Sequence, residues 1–151
     1  MTTIAADGLT VCSDSRRAMG SEIVDNCTQK LVKKGGHVFA FTGVFGLLEP
    51  AVDWFLGGAD PATFPNHGKD VEGRLLVFRS GHVMSYSTGM PYGEAFPYPQ
   101  AFGSGAGYAL GAMYAGKNAR EAIAIASKLC AYTGGPIQEL AIPQAMKDAA
   151  E

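Results

Sequence analysis

The chain has little of what would commit it to a membrane, a nucleic acid or a metal. None of its 151 residues fall in a run approaching the about 18 apolar side chains of a spanning helix. No secretory leader precedes the first strand pattern, so the expectation is a cytoplasmic protein with no membrane partner. Excess positive charge is missing as well: 12 Lys and Arg against 14 Asp and Glu leave a formal net charge of −2. A nucleic-acid binder carries a basic face, and Arg16-Arg17 and Lys33-Lys34 are too short to make one. The 3 cysteines, Cys12, Cys27 and Cys130, are odd in number and lack Cys-x-x-Cys spacing, which excludes a disulfide framework or a zinc site. His37, His67 and His82 are scattered and form no ligand pattern. Gly103-x-Gly105-x-x-Tyr108 lacks the third glycine of a dinucleotide loop. What is present is a 47% hydrophobic chain, long enough for one domain over residues 1–151 that buries about two-thirds of its unfolded surface.

The pattern opens with strands. Thr2–Ala6 and Leu9–Ser13 flank Asp7-Gly8, a preferred pair for a two-residue hairpin turn. Ile23-Val24 and Gln29–Val32 read as short strands, followed by His37–Thr42 across Gly35-Gly36. Ala51, Val52, Phe55 and Leu56 have helical spacing within Glu49–Leu56, ended by Gly57-Gly58. The stretch 59–73 reads as loop. Arg74–Phe78 and His82–Ser87 form a second hairpin; Gly89–Pro99, rich in Pro, Gly and Tyr, reads as a loop before a strand at Gln100–Phe102. Two helices follow, Ser104–Ala115 with Ser104 suited to the N-cap, and one with Asn118 and Glu121 as a capping pair. Tyr132–Leu140 gives a last turn and strand. Pattern alone licenses an α+β class.

Thr2 stands directly behind a removable initiator methionine. Once Met1 is cleared, its hydroxyl and its own free α-amine form a nucleophile and base within one residue. The hairpin sets this group on a rigid strand. An α-amine titrates near about 7.7–8.0, so a useful fraction is neutral at neutral pH, whereas a lysine near about 10.4 stays charged. Lys30 therefore suits the part of a cation that depresses the amine's pKa and favours the alkoxide. Asp14, closing the second strand, would orient that ammonium through a charge-assisted hydrogen bond.

The ordered set Thr2-Thr3-Ile4, Ser13-Asp14-Ser15-Arg16, Lys30, Phe41-Thr42-Gly43, Phe102-Gly103-Ser104-Gly105, Tyr108–Met113 and Tyr132–Ile137 resembles the proteasome β-subunit family of N-terminal nucleophile hydrolases. It is most similar to the compact bacterial homologues that begin Met-Thr-Thr-Ile; the peptidase of the two-component bacterial ATP-dependent protease is a more distant likeness. The resemblance implies a four-layer αββα sandwich. It assigns catalytic roles to Thr2, Asp14, Lys30, the Gly43 N–H as oxyanion donor, and Ser104 near the threonine amine. Arg17, Ala18, Thr28, Val32, Phe41 and Phe45 would contact substrate. Backbone carbonyls of Ser127, Cys130 and Thr133 would match a monovalent-cation site. Cys130 also stands where many relatives carry aspartate.

The activity expected is a threonine endopeptidase acting on peptides or unfolded proteins, without a cofactor, inside homo-oligomeric rings and with an ATP-dependent unfoldase as a further partner. Two other readings use the same chain: a catalytically silent ring-forming scaffold subunit, and a small-molecule amidase, since fold does not fix substrate. Trp54, Phe55, Phe64, Tyr92, Phe96 and Tyr98 offer aromatic surface either for subunit contacts or for the chain's own core.

Overall fold

The computed structural model describes residues 2–43, 45–65 and 73–145, with only the backbone of Phe45 among them. Expectations about Met1 and His67 therefore fall outside the described residues.

A four-stranded antiparallel sheet has β10 (Gln100–Gly103), β1 (Thr3–Ala6), β2 (Thr10–Ser13) and β11 (Gln138–Ala141) in that order. A five-stranded sheet runs β5 (Leu31–Lys34), β6 (His37–Gly43), β7 (Gly73–Arg79), β8 (His82–Ser87) and β9 (Met90–Pro97). A separate small ribbon pairs β3 (Arg17–Met19) with β4 (Glu22–Asp25).

Strand alternation sorts the side chains into layers. On β1, Ile4 and Ala6 join Val38, Ala40, Leu76 and Phe78 of the larger sheet in one buried cluster between the sheets. Ala5 turns the other way, packing with Cys12 and Ala101 against α2 (Ala106–Tyr114) and α3 (Ala119–Leu129). On β6, Phe39 and Phe41 turn outward with Leu75 and Val77 and meet Ala51 and Val52 of α1 (Leu48–Leu56). Helix, sheet, sheet, helix is thus a four-layer αββα sandwich, as the resemblance implied.

Local differences from the sequence reading have physical reasons. The first hairpin turns one residue later than Asp7-Gly8: Asp7 N–H donates to Thr10 O at 3.1 Å, leaving Gly8 and Leu9 central. Gly8, at φ 101°, supplies the positive φ that the first central position of this turn needs. The Asp7 carboxylate ties the loop by accepting from the Leu9 and Thr10 N–H groups, each at 2.9 Å. The expected loop 89–99 is largely strand β9. Its prolines are tolerated because β9 is a sheet edge, where a missing N–H breaks no second ladder. Ser104 does not cap α2; Gly105 holds that place. The capping box at α3 forms as read, with Asn118 Oδ1 accepting from Glu121 N–H at 2.8 Å.

The aromatics expected at the loops mostly cover the domain's own core. Trp54 meets Phe64 and Tyr86 edge-on at ring separations of 4.9 and 5.5 Å. Phe96 meets Phe102 at 5.8 Å, and Tyr98 packs on the inter-sheet cluster. Tyr92 stays exposed.

Candidate active site

The site is built where β1 and β2 begin and end. Thr3 and Asp14 continue the hairpin ladder by one pair, Asp14 N–H donating to Thr3 O at 3.3 Å. The carboxylate then turns back, and its Oδ1 accepts from Thr3 N–H at 3.1 Å and from Lys30 Nζ at 2.7 Å. Its Oδ2 accepts from Gly134 N–H at 3.2 Å. Both side chains of the Lys30–Asp14 pair have 0% exposure, so the pair survives burial only because its hydrogen-bonding capacity is met. Lys30 Nζ also donates to the Arg16 carbonyl. Burial pushes the Lys30 pKa below its usual value, against the opposing charge and hydrogen bond of Asp14.

Lys30 lies just ahead of β5 rather than inside a strand, and a distant glutamine sets its backbone. Gln138 of β11 accepts from Lys30 N–H at 2.9 Å and donates to Thr28 O at 2.6 Å. This link carries a residue of one sheet to the end of the other.

Thr2 is held by its main chain. Ser104 N–H donates to Thr2 O at 3.0 Å, and Gly103, at φ 98°, makes room for that carbonyl. A Cβ on Gly103 would lie 1.5 Å from Thr2 O, so no other residue fits there. The Thr2 side chain is buried, and among the described residues its Oγ has no hydrogen-bond partner. By strand alternation it shares the face of Ile4 and Ala6, turned toward the other sheet. Ser13 Oγ is likewise unpartnered, and nothing in the structure explains it.

On the opposite face of β1 lies a knot of hydroxyls. Thr3 Oγ1 accepts from Gly105 N–H at 2.9 Å and lies 2.7 Å from Thr133 Oγ1 and 3.3 Å from Ser104 Oγ. Ser104, expected near the Thr2 amine, thus meets Thr3 with its hydroxyl and Thr2 with its backbone. The Cys130 thiol is raised by burial, but hydrogen bonds from the Thr133 side chain, Tyr132 backbone and Ser104 side chain outweigh this and lower it overall.

The remaining expected residues are distributed unevenly. Gly43 ends β6 at φ 120° and is exposed, paired in register with Gly73. Ala18 lies on the β3–β4 ribbon, where Arg17 forms an ion pair with Asp25 at 2.9 Å. Thr28 Oγ1 donates to the same aspartate at 2.6 Å. Val32 borders a groove of about 250 Å³ with Lys34, Leu48, Glu49 and Val52. Phe41, expected beside substrate, is 2% exposed and packs beneath α1, with Gly73 against its ring. Ser127 Oγ donates to Ile123 O at 2.8 Å, while Cys130 O accepts from Thr133 N–H at 3.1 Å.

Several positions were given no role from the sequence: Thr3, Gly103, Gly105, Gly134, Gln138 and the side chain of Arg16. The doubled threonine and the Gly-Ser-Gly triplet were signals for the first three. Gln138 and Arg16 act across the chain and leave no local pattern.

No family model matches the chain, and no curated protein matches it. Its fold, however, is shared with solved structures. Thiobacillus denitrificans BPH is 20% identical at a TM-score of 0.70, with 97% of this chain and 99% of that one aligned. The same protein in complex with epoxomicin gives 19% identity and a TM-score of 0.71 over 97% of this chain and 100% of that one. HslV from Trypanosoma brucei gives 18% identity and a TM-score of 0.69 over 93% of this chain and 98% of that one. The αββα architecture is therefore that of the HslV and proteasome-type structures.

Proposed function

We propose that this chain, sharing its fold with BPH and HslV, is a threonine endopeptidase whose nucleophile is Thr2, exposed as the N-terminus by loss of Met1. One observation carries the reading: the buried Thr2 hydroxyl has no partner among the described residues, and the next residue, Thr3, donates its N–H to the Asp14 of a buried lysine–carboxylate pair. Leaving such a hydroxyl unsatisfied costs about 1–3 kcal/mol, and groups kept in that state call for a role.

In the mechanism, Thr2 Oγ attacks the scissile carbonyl while the free α-amine takes its proton. The charge of Lys30, held by Asp14, favours the neutral amine and the forming alkoxide. The Gly43 N–H stabilises the tetrahedral oxyanion; such a donor is worth about 2.7–4 kcal/mol. Collapse breaks the C–N bond, the ammonium returns its proton to the leaving amine, and Thr2 is left as an ester. Water, deprotonated by the same amine, hydrolyses that ester and regenerates Thr2. Extended substrate would add alongside Ala18 and Gly43, with Arg17, Thr28, Val32 and Phe45 nearby. Phe41 would support this region from the core.

Self-association into a chamber belongs to the same reading. Met19, Ile23, Val24, Tyr114 and Leu129 are exposed apolar side chains, which supply surface for contacts between copies. An ATP-dependent unfoldase would then deliver unfolded protein. The test is cleavage of a fluorogenic peptide and of unfolded casein by purified protein, with Thr2→Ala as control. Loss in Thr2→Ala with retained folding supports the assignment. Unchanged cleavage defeats it, cleavage of small amides alone favours an amidase, and no cleavage by assembled rings favours a scaffold. If the shared fold extends to inhibitor binding, epoxomicin should block turnover.

A further inference from the structure

The turn at Thr133-Gly134 carries more of the site than its position suggests. Its Gly134 N–H donates to Asp14 Oδ2 at 3.2 Å, and Gly134 O accepts from Ser15 N–H at 3.0 Å. The Thr133 hydroxyl reaches Thr3 at 2.7 Å. The turn thus fixes the carboxylate that holds Lys30 and the strand that holds Thr2. The resemblance placed a monovalent cation here, held by the carbonyls of Ser127, Cys130 and Thr133. The residues present do not fit that role. Arg16 Nη1 donates to Ala131 O at 3.2 Å and, more weakly, to Thr133 O at 3.5 Å. Arg16 Nε donates to Asn26 Oδ1 at 3.0 Å, which anchors the plane of the group. The guanidinium lies so close over the turn that a Cβ on Gly134 would sit 2.4 Å from Arg16 Cζ. A metal ion at Thr133 O would face a permanent positive charge about 3–4 Å away, a separation at which like charges repel strongly at protein surfaces. Of the two other carbonyls, Cys130 O already accepts Thr133 N–H at 3.1 Å, which leaves Ser127 O alone to hold an ion.

We propose that the Arg16 guanidinium takes the place of the cation, making Arg16 a positioning residue that holds the Thr133-Gly134 turn against Asp14. A guanidinium suits this task better than an ammonium because its donors are planar and fixed, so one group can bond two carbonyls and Asn26 at once. It is also covalently part of the chain, so its occupancy does not depend on salt. Turnover and turn order are consequently insensitive to exchange of sodium or potassium for choline.

This inference rests on the peptidase reading for its effect on turnover, so the decisive readout does not require activity. Hydrogen–deuterium exchange would be followed over the peptide spanning 131–137 in wild type, Arg16→Ala and Arg16→Lys, in choline, sodium and potassium buffers. Wild type should show the same protection in all three. Arg16→Ala should exchange about ten- to hundred-fold faster at this turn, the loss expected for hydrogen bonds to a charged group. Millimolar guanidinium should restore protection, and potassium should not. In the peptidase assay the same variant should lose kcat with little change in KM, and guanidinium should recover it. Should Arg16→Ala fail to fold, Arg16→Lys, which keeps the charge but not the fork, carries the same comparison. Wild-type protection that falls when sodium and potassium are removed, or an Arg16→Ala turn as protected as wild type, overturns the proposal. Absence of peptide cleavage with the exchange pattern intact would remove the enzyme reading and leave the role of Arg16 standing.

Discussion

The space between the two sheets and the end of β1 are both fully buried, yet they are held by opposite chemistry. Between the sheets, Ile4, Val11, Val38, Leu76, Phe78 and Val83 are at most 1% exposed and present no polar side-chain atom. At the end of β1, Thr2, Thr3, Asp14, Lys30 and Thr133 are at most 2% exposed and nearly all polar. The first region stabilises by removing hydrocarbon from water, at about 1.5–3 kcal/mol per large side chain. The second gains little net stability from its charges, because desolvation offsets their attraction. What the polar end provides is a fixed arrangement, with both carboxylate oxygens of Asp14 engaged and, among the described residues, the Thr2 hydroxyl left unpaired, as is that of neighbouring Ser13.

The sharpest way to break this contrast is to remove one charge of the pair. Lys30→Met should destabilise the protein by about 3–5 kcal/mol, since Asp14 is left buried without compensation, and turnover should vanish. Adding Asp14→Asn should recover part of the stability, because asparagine keeps an acceptor for Thr3, but none of the turnover. Urea denaturation with parallel peptide assays separates the two effects. Phe78→Ala between the sheets should cost a similar amount, about 3–5 kcal/mol, while the fraction still folded turns over normally. Equal loss of kcat in Phe78→Ala at temperatures where it is folded would erase the contrast.

A smaller effect is expected from Thr3→Val, which keeps the shape and removes one hydroxyl. Gly105 N–H and Thr133 Oγ1 would lose a partner, for a destabilisation of about 1–3 kcal/mol, and kcat should fall more than KM rises as β1 loses its anchor. Thermal melts and steady-state kinetics on the one variant measure both.

The pH profile sharpens the comparison further. The α-amine must be neutral to act as base, and the Lys30 charge depresses its pKa, so activity should rise with pH below the amine's ordinary range of about 7.7–8.0. Burial lowers the Lys30 pKa, so its positive charge is lost, and activity with it, at a lower pH than for a solvent-exposed lysine. The sign for stability is the reverse. Between the depressed folded pKa and the ordinary unfolded one, the unfolded chain binds more protons, so the Lys30 contribution makes stability rise with pH there. An alkaline limb that coincides with that of a free lysine would contradict the buried placement. The smallest effect concerns thiols. Cys130, lowered by its hydroxyl neighbours, should alkylate well before Cys12, whose thiol burial pushes up to about 12; mass mapping after limited alkylation reads the order.

The same contrast explains what the sequence could disclose. Apolar alternation was legible: Val38 and Ala40 against Phe39 and Phe41 already separates the two faces of β6. The α3 capping pair was legible because both partners lie within one helical turn. Thr2, Asp14 and Lys30 were legible only as chemistry that fits together. Gln138 reaching Lys30, and Arg16 reaching Thr133, join residues more than 100 positions apart, and no local periodicity encodes such a contact. Strand β9 was hidden for a different reason. Its Pro91, Gly93 and Pro97 spell a loop, and only an edge position lets them pair.

The most direct test of the central claim is the intact mass of protein recovered with full peptidase activity. The account predicts a chain shorter by Met1, with Thr2 as the N-terminal residue and its α-amine free. Full turnover by protein that uniformly retains Met1 would contradict it, because the amine would then be an amide and could not take the proton from Thr2 Oγ.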